Sequence, residues 1–237
     1  MEILYIALLT LVAATVGTIT GFGTSTLMIP ILVMFFPPAE AIFLVSIIHW
    51  FGSLWKAVLF RSGFNLHLLL LFGAVGLVAS YFGAYISLGS NEQVLLRLLG
   101  VFLAVYALFL IFQSKFKIPA NNLTAVSGGA LSGFFAGMFG IGGAIRGAFL
   151  AAFDLPKLVY IATAGAIGLL VDSTRIITYF VGGATLPKEL WYGLLVFIPV
   201  SFLGAQIAKK IIDKIPQNKF RVIVALFLLA AGIRLII

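Results

Sequence analysis

The sequence predicts an all-α polytopic membrane protein made of two inverted repeats, and three observations carry that expectation. Of the 237 residues, 62% are hydrophobic and only 9% are charged, whereas a soluble domain carries about a quarter of its residues as charged groups. Several apolar runs reach the roughly 20 residues needed to cross a bilayer. A glycine-rich interruption also occurs twice, 119 residues apart, as Gly21-Phe22-Gly23-Thr24-Ser25 and Gly140-Ile141-Gly142-Gly143. At the same offset Pro37 aligns with Pro156, Gly63 with Gly182 and Lys56 with Arg175, so each copy holds one cation inside an apolar helix.

Residues 3–20 predict a first helix that breaks at Gly21 and Gly23, where glycine permits positive φ and close backbone approach. The apolar run ahead of that break lacks the basic start of a cleaved signal, so the segment is expected to be retained. Residues 24–36 follow and stop at Pro37-Pro38. They span about 20 Å of helix, less than the roughly 30 Å hydrocarbon layer, and read as a short buried or re-entrant helix. A third helix over 39–60 holds His49, Ser53 and Lys56 and ends at Arg61-Ser62-Gly63. The fourth, 66–88, spaces Gly73, Gly76, Ser80 and Gly83 for close helix packing. Ser90-Asn91-Glu92-Gln93 reads as the cap region of a fifth helix over 94–112.

The polar stretch 114–122, with Lys115, Lys117 and Pro119, separates a first transmembrane repeat (1–113) from a second (123–237). The second repeat follows the same plan. A helix over 123–139 breaks at Gly140 to Gly143, a short one over 144–153 ends at Asp154-Leu155-Pro156, and 157–181 carries Asp172 and Arg175. Helices over 190–212 and to the chain end complete it, each repeat thus having a broken helix, a short helix and three further transmembrane helices.

The formal net charge of +8 would suggest nucleic acid in a soluble protein. Here the basic residues sit at helix ends and in short loops, as membrane orientation requires, so no nucleic-acid partner is expected. Lys209, Lys210, Lys214, Lys219 and Arg221 place the 209–221 loop in the cytoplasm. Five or three passes per repeat, both odd numbers, make the halves inverted. Arg61, Lys115, Lys117 and Lys157 then share the cytoplasmic side, leaving Arg97, Arg146, Lys188 and Arg234 opposite.

Cysteine is absent, which excludes thiolate metal sites. Neither a His-rich metal motif, a Ser-His-Asp set at usable spacing nor a phosphate loop is present, so the chain reads as no enzyme, with no metal and no cofactor. His67 and the tryptophans Trp50, Trp55 and Trp191 read as interfacial and lipid-contacting groups.

Inverted repeats with interrupted helices are how many secondary transporters hold cargo near the midplane, with free N–H groups and a positive dipole end facing an anion. Gly21, Gly23, Thr24 and Ser25 at one interruption, and Gly140, Gly142 and Gly143 at the other, form the expected substrate-binding set; Arg146 lies close by. The same glycines equally serve tight helix packing. Lys56 and Arg175 join the set, because an ionisable group inside a membrane helix costs roughly 2.5–3.5 kcal/mol and marks function by default. Snorkelling to the interface is the competing reading.

Asp172, three residues before Arg175, shares its helical face. It reads either as a neutralising partner or as an acid that takes up a proton and frees Arg175. Asp172 and His49 are therefore the proton-coupling candidates.

Two modules, each with a glycine-rich break after its first helix, a proline turn about 14 residues on (Pro37; Pro156) and an Arg starting the last helix (Arg97; Arg221), resemble the TauE/SafE sulfite-exporter-like permeases over nearly the whole chain. The resemblance implies a multi-pass prokaryotic inner-membrane permease that exports small anions: sulfite, sulfoacetate or a related sulfur oxyanion or organosulfonate. The family's first break commonly reads Gly-x-Gly-Gly-Gly; here Thr24 and Ser25 replace later glycines, and Ala144 replaces the last in the second copy. Coupling to protons or to membrane potential rests on Asp172 and His49. The expected partners are a small anion and the lipid bilayer, with a homo-oligomer left open. A non-transporting scaffold or accessory subunit, and a cation carrier using Asp172, are the competing classes.

Overall fold

The computed structural model describes residues 1–60, 63–112, 118–211 and 217–237, the side chains of 217–221 excepted. Among these residues the chain is helical without strands. The first half runs α1 (Glu2–Thr20), α2 (Ser25–Leu32), α3 (Pro38–Leu59), α4 (Leu66–Gly89) and α5 (Glu92–Phe112). The second runs α6 (Asn122–Phe139), α7 (Gly143–Leu150) with a 3-10 turn (Ala151–Phe153), α8 (Lys157–Val181), α9 (Lys188–Ile211) and α10 (Gln217–Ile236). Six of them, α1, α3, α4, α5, α8 and α9, are long and apolar enough to cross a membrane. The fold is thus the expected all-α polytopic one.

Corresponding elements share local geometry because the same residue types dictate it. α1 and α6 each end on a left-handed glycine, Gly21 at φ 76° and Gly140 at φ 75°, a conformation that costs any other L-residue strain. Pro37 and Pro156 precede α3 and α8 with φ/ψ of −51°/140° and −50°/137°, the fixed φ and extended ψ that proline brings to a helix start. The alignment slips by one residue later: the left-handed partner of Gly63 (φ 118°) is Gly183 (φ 87°), while Gly182 has φ −74°. Asn91 Oδ1 accepts from the amides of Gln93 and Val94, the cap expected for α5.

The halves interlock by exchange. α1 packs along α9 and its counterpart α6 along α4, while α3 packs on α8 and α5 on α10. Along the α3–α8 seam His49 meets Asp172, Trp50 meets Ser173, Ser53 meets Gly168 and Lys56 meets Gly165. From His49 through Ser53 to Lys56 the facing residues fall from Asp172 through Gly168 to Gly165, so α3 and α8 run antiparallel. α5 and α10 do likewise, with Gly100 against Leu235 and Ile236, and Leu103 against Gly232. In the α4–α6 seam Gly129, Gly133 and Gly137 press on the carbonyls of Phe72, Gly76 and Ser80; missing side chains let the two backbones touch.

Several expectations change. The second helix is eight residues long and contains Pro30, ending at Leu32 rather than Phe36. Lys209 and Lys210 lie in the last turn of α9 instead of a loop, and Lys209 Nζ donates to the Leu59 carbonyl at 2.9 Å. Trp50 and Trp55 are tied between helices, to Ser173 Oγ at 2.8 Å and Ser201 Oγ at 3.1 Å, so an indole N–H that needs a partner fixes them there. Trp191 stays 43% exposed, as a lipid-contacting residue would. Arg61, residues 114–117 of the linker and the side chains of Lys214, Lys219 and Arg221 lie outside the described residues.

Candidate functional site

Both short helices begin without a side-chain cap. The first amides of any helix have no intrahelical acceptor, and among the described residues no acceptor faces those of Ser25, Thr26, Gly143 or Ala144. The two starts meet in the protein interior. Gly143 sits so close to the Phe22 carbonyl that a Cβ there would overlap it. Gly147, one turn further along α7, faces the Gly21 carbonyl and the Tyr160 hydroxyl, which donates to Gly147 O at 3.3 Å. Gly142 packs on Ser132 and Ala136 of the preceding helix. Thr24, Ser25 and Thr26 are all buried; the Thr26 hydroxyl is committed to the Phe22 carbonyl at 2.8 Å.

A chain of polar side chains connects the two interruptions. His49 Nδ1 lies 2.5 Å from Asp172 Oδ2, and its Nε2 is buried, without a partner and directly against Gly23. Asp172 Oδ1 accepts from Arg175 Nη2 at 2.8 Å. Arg175 Nη1 donates to the Ala136 carbonyl at 3.1 Å and lies beside Gly140, and its Nε has no partner. The line His49–Asp172–Arg175 thus runs from Gly23 to Gly140. With Nδ1 held by a carboxylate, Nε2 is the nitrogen left to bond another group: an acceptor in neutral imidazole, a donor in imidazolium.

Two more cations lie in the same core. Lys56 and Arg146 are 4% and 2% exposed. Among the described residues neither has a carboxylate at ion-pair distance, because the oxygens of Asp172 are bonded to His49 and Arg175. Among the described residues three buried basic groups, Lys56, Arg146 and Arg175, share one buried carboxylate, Asp172.

The sequence profile of the sulfite exporter TauE/SafE family matches residues 6–235. The chain belongs to the sulfite exporter TauE/SafE family. That family is one of membrane anion transporters, and the long apolar helices agree with a multi-pass integral membrane protein. No curated protein matches the chain.

Within this TauE/SafE chain, every residue of the expected set lies at or beside the meeting of the two interruptions, except that Lys56 departs from its expected symmetry with Arg175. Arg175 reaches the second interruption, whereas Lys56 packs at Gly165 near Arg146. Neither snorkels, since Arg175 is 0% and Lys56 4% exposed.

Arg146 is the larger correction. Charge counting sets it at the membrane surface opposite the cytoplasm, yet it is buried in α7 with an unpartnered Nε. Its place close to the second interruption, three residues after Gly143, holds, and only the charge count is overturned. The unpartnered hydroxyls of Ser53 and Ser132 were also missed as site groups, because serine in an apolar helix commonly bonds its own backbone.

Proposed function

We propose that the protein is an inverted-repeat secondary transporter of small anions, exporting sulfite, sulfoacetate or a related sulfur oxyanion or organosulfonate across a prokaryotic cytoplasmic membrane. One observation carries the reading: two uncapped helix starts meet beside buried cations that lack a counter-charge. Free amides and positive helix ends favour an anion. Unpaired buried cations need one, since each desolvated charge costs several kcal/mol. Antiparallel packing of the equivalent pairs α3–α8 and α5–α10 supports inversion, and the match to the sulfite exporter TauE/SafE family supports the sulfur oxyanion class.

Coupling to protons runs through His49. A cargo oxygen in the place faced by Nε2 is held more strongly when that nitrogen carries a proton, while Asp172 stabilises the resulting imidazolium through Nδ1. Protonation of His49 then favours loading of the anion, and deprotonation favours its release. Movement without a proton, driven by membrane potential alone, is the alternative coupling.

Uptake of radiolabelled sulfite and sulfoacetate into proteoliposomes, with and without an imposed pH gradient, tests the proposal. Saturable uptake accelerated by the gradient is expected, and so is its loss in the Lys56→Ala, Arg175→Ala double variant. Unchanged uptake in a correctly folded double variant removes both cations from the mechanism. A cation carrier centred on Asp172 is disfavoured, because both carboxylate oxygens are already bonded and the surrounding charge is positive.

A further inference from the structure

Among the described residues the Arg146 side chain makes no hydrogen bond or ion pair, and the Asp172 carboxylate near it is already bonded to His49 and Arg175. Arg146 lies in the first turn of α7, where the helix dipole is positive and disfavours a cation. Lys56 stands near enough to repel it. Ser53 Oγ, also buried, has no hydrogen-bond partner either.

Two glycines on α8, one turn apart, bring these groups together. A Cβ on Gly168 would stand 2.6 Å from Ser53 Oγ and 3.3 Å from Arg146 Nη2, and one on Gly165 would stand 3.1 Å from Lys56 Cβ. Gly168 therefore lies against the Ser53 hydroxyl and the Arg146 guanidinium, and Gly165 against the base of the Lys56 side chain. Desolvation and like-charge repulsion both oppose that arrangement until an anion enters.

We propose that Arg146, Lys56 and Ser53 form a second oxyanion subsite, about one helical turn along the α3–α8 seam from His49 and Asp172, and that it selects doubly charged oxyanions over halides. The proposal rests on the anion-transport reading above and adds the charge of the cargo. Arg175 is neutralised by Asp172, whereas among the described residues Arg146 and Lys56 have no carboxylate at ion-pair distance, so two basic groups can together match an occupant with two negative charges. That is the charge of sulfite or sulfate as dianions. The guanidinium fork and the hydroxyl also donate along several directions, which suits an occupant with several oxygens better than a spherical ion.

Thermal-shift titration of the purified full chain in detergent tests this, with sodium sulfite, sodium sulfate and sodium chloride at constant ionic strength and a pH at which sulfite is dianionic. Wild type is expected to be stabilised saturably by an oxyanion and not by chloride. Arg146→Gln should weaken that binding by about 10- to 100-fold, the value of a charge-assisted hydrogen bond. Arg146→Lys should retain more binding than Arg146→Gln. Ser53→Ala should weaken binding by about tenfold with no change in the ligand-free melting point.

If Arg146→Gln fails to fold, Ser53→Ala decides, because it removes a hydroxyl that bonds nothing among the described residues. Oxyanion binding as strong as wild type in these variants, or chloride binding as well as the oxyanions, overturns the subsite while leaving anion transport standing. A wild-type protein that responds to no anion overturns both.

Discussion

His49 Nδ1 sits 2.5 Å from Asp172 Oδ2 while the other nitrogen of the same ring faces Gly23 with no partner. One side chain from α3 thereby joins a carboxylate on α8 to the interruption between α1 and α2. The proposed proton coupling puts the link between pH and cargo binding at this ring. The charged groups around it are Asp172, Lys56 and Arg146.

Cargo held by Nε2–H requires the imidazolium, so anion affinity is highest at low pH and falls as pH rises through the titration of His49. The apparent KM for sulfite in proteoliposomes should therefore increase with pH in wild type, after correction for the titration of sulfite itself. In His49→Gln the residual slope should vanish. A slope that survives the substitution would place the pH-sensitive group elsewhere.

Arg175 neutralises Asp172 in a site with almost no water contact. Arg175→Met leaves the carboxylate with His49 alone and is expected to cost about 3–5 kcal/mol, the usual penalty for breaking a buried pair. The paired variant Asp172→Asn, Arg175→Met should recover much of that loss. Melting temperatures in detergent measure both, and a double variant no more stable than Arg175→Met alone would speak against the pairing.

Gly23 and Gly183 adopt similar left-handed conformations, φ 83° and 87°, but a Cβ meets the His49 ring at Gly23 and nothing within 4 Å at Gly183. Gly183→Ala should lose only the backbone term, of the order of 1–2 kcal/mol. Gly23→Ala should lose more and also abolish the pH dependence of uptake, because it displaces His49. Equal effects of the two substitutions would show that Gly23 has no role beyond its turn.

The α4–α6 seam provides a packing test. A Cβ on Gly133 would overlap the Gly76 carbonyl, whereas one on Gly89 meets nothing within 4 Å. Gly133→Ala should destabilise by about 1–3 kcal/mol through overpacking, with Gly89→Ala near neutral. Size-exclusion monodispersity after heating would rank the two.

Because the chain contains no cysteine, single cysteines can report topology. Phe64 and Thr185 lie in the corresponding turns before α4 and α9 and are exposed. Under inverted topology a membrane-impermeant thiol reagent should label Phe64→Cys and Thr185→Cys from opposite faces of oriented vesicles. Labelling from the same face would overturn the inversion.

Much of the fold was legible because membrane helices announce themselves by length and hydropathy, and their breaks by residues whose backbone constraints are intrinsic. Gly21, Gly140, Pro37 and Pro156 do locally what their chemistry demands, so α1 to α3 and α6 to α8 could be drawn from the chain alone. Asp172 and Arg175 were paired correctly by helical spacing, since a separation of three residues fixes a shared face.

Tertiary structure decided the rest. Spacing within one helix says nothing about a partner 123 residues away, so the bond from His49 to Asp172 appeared only when α3 and α8 packed antiparallel. Lys56 and Arg146 likewise became neighbours through Gly165 and Gly168, on another helix altogether. Sequence determined which backbone segments would be interrupted and that Lys56, Asp172 and Arg175 would lie in apolar surroundings. Only packing could determine that those interruptions meet and that the ions remain in charge excess, because both depend on which helices share a seam.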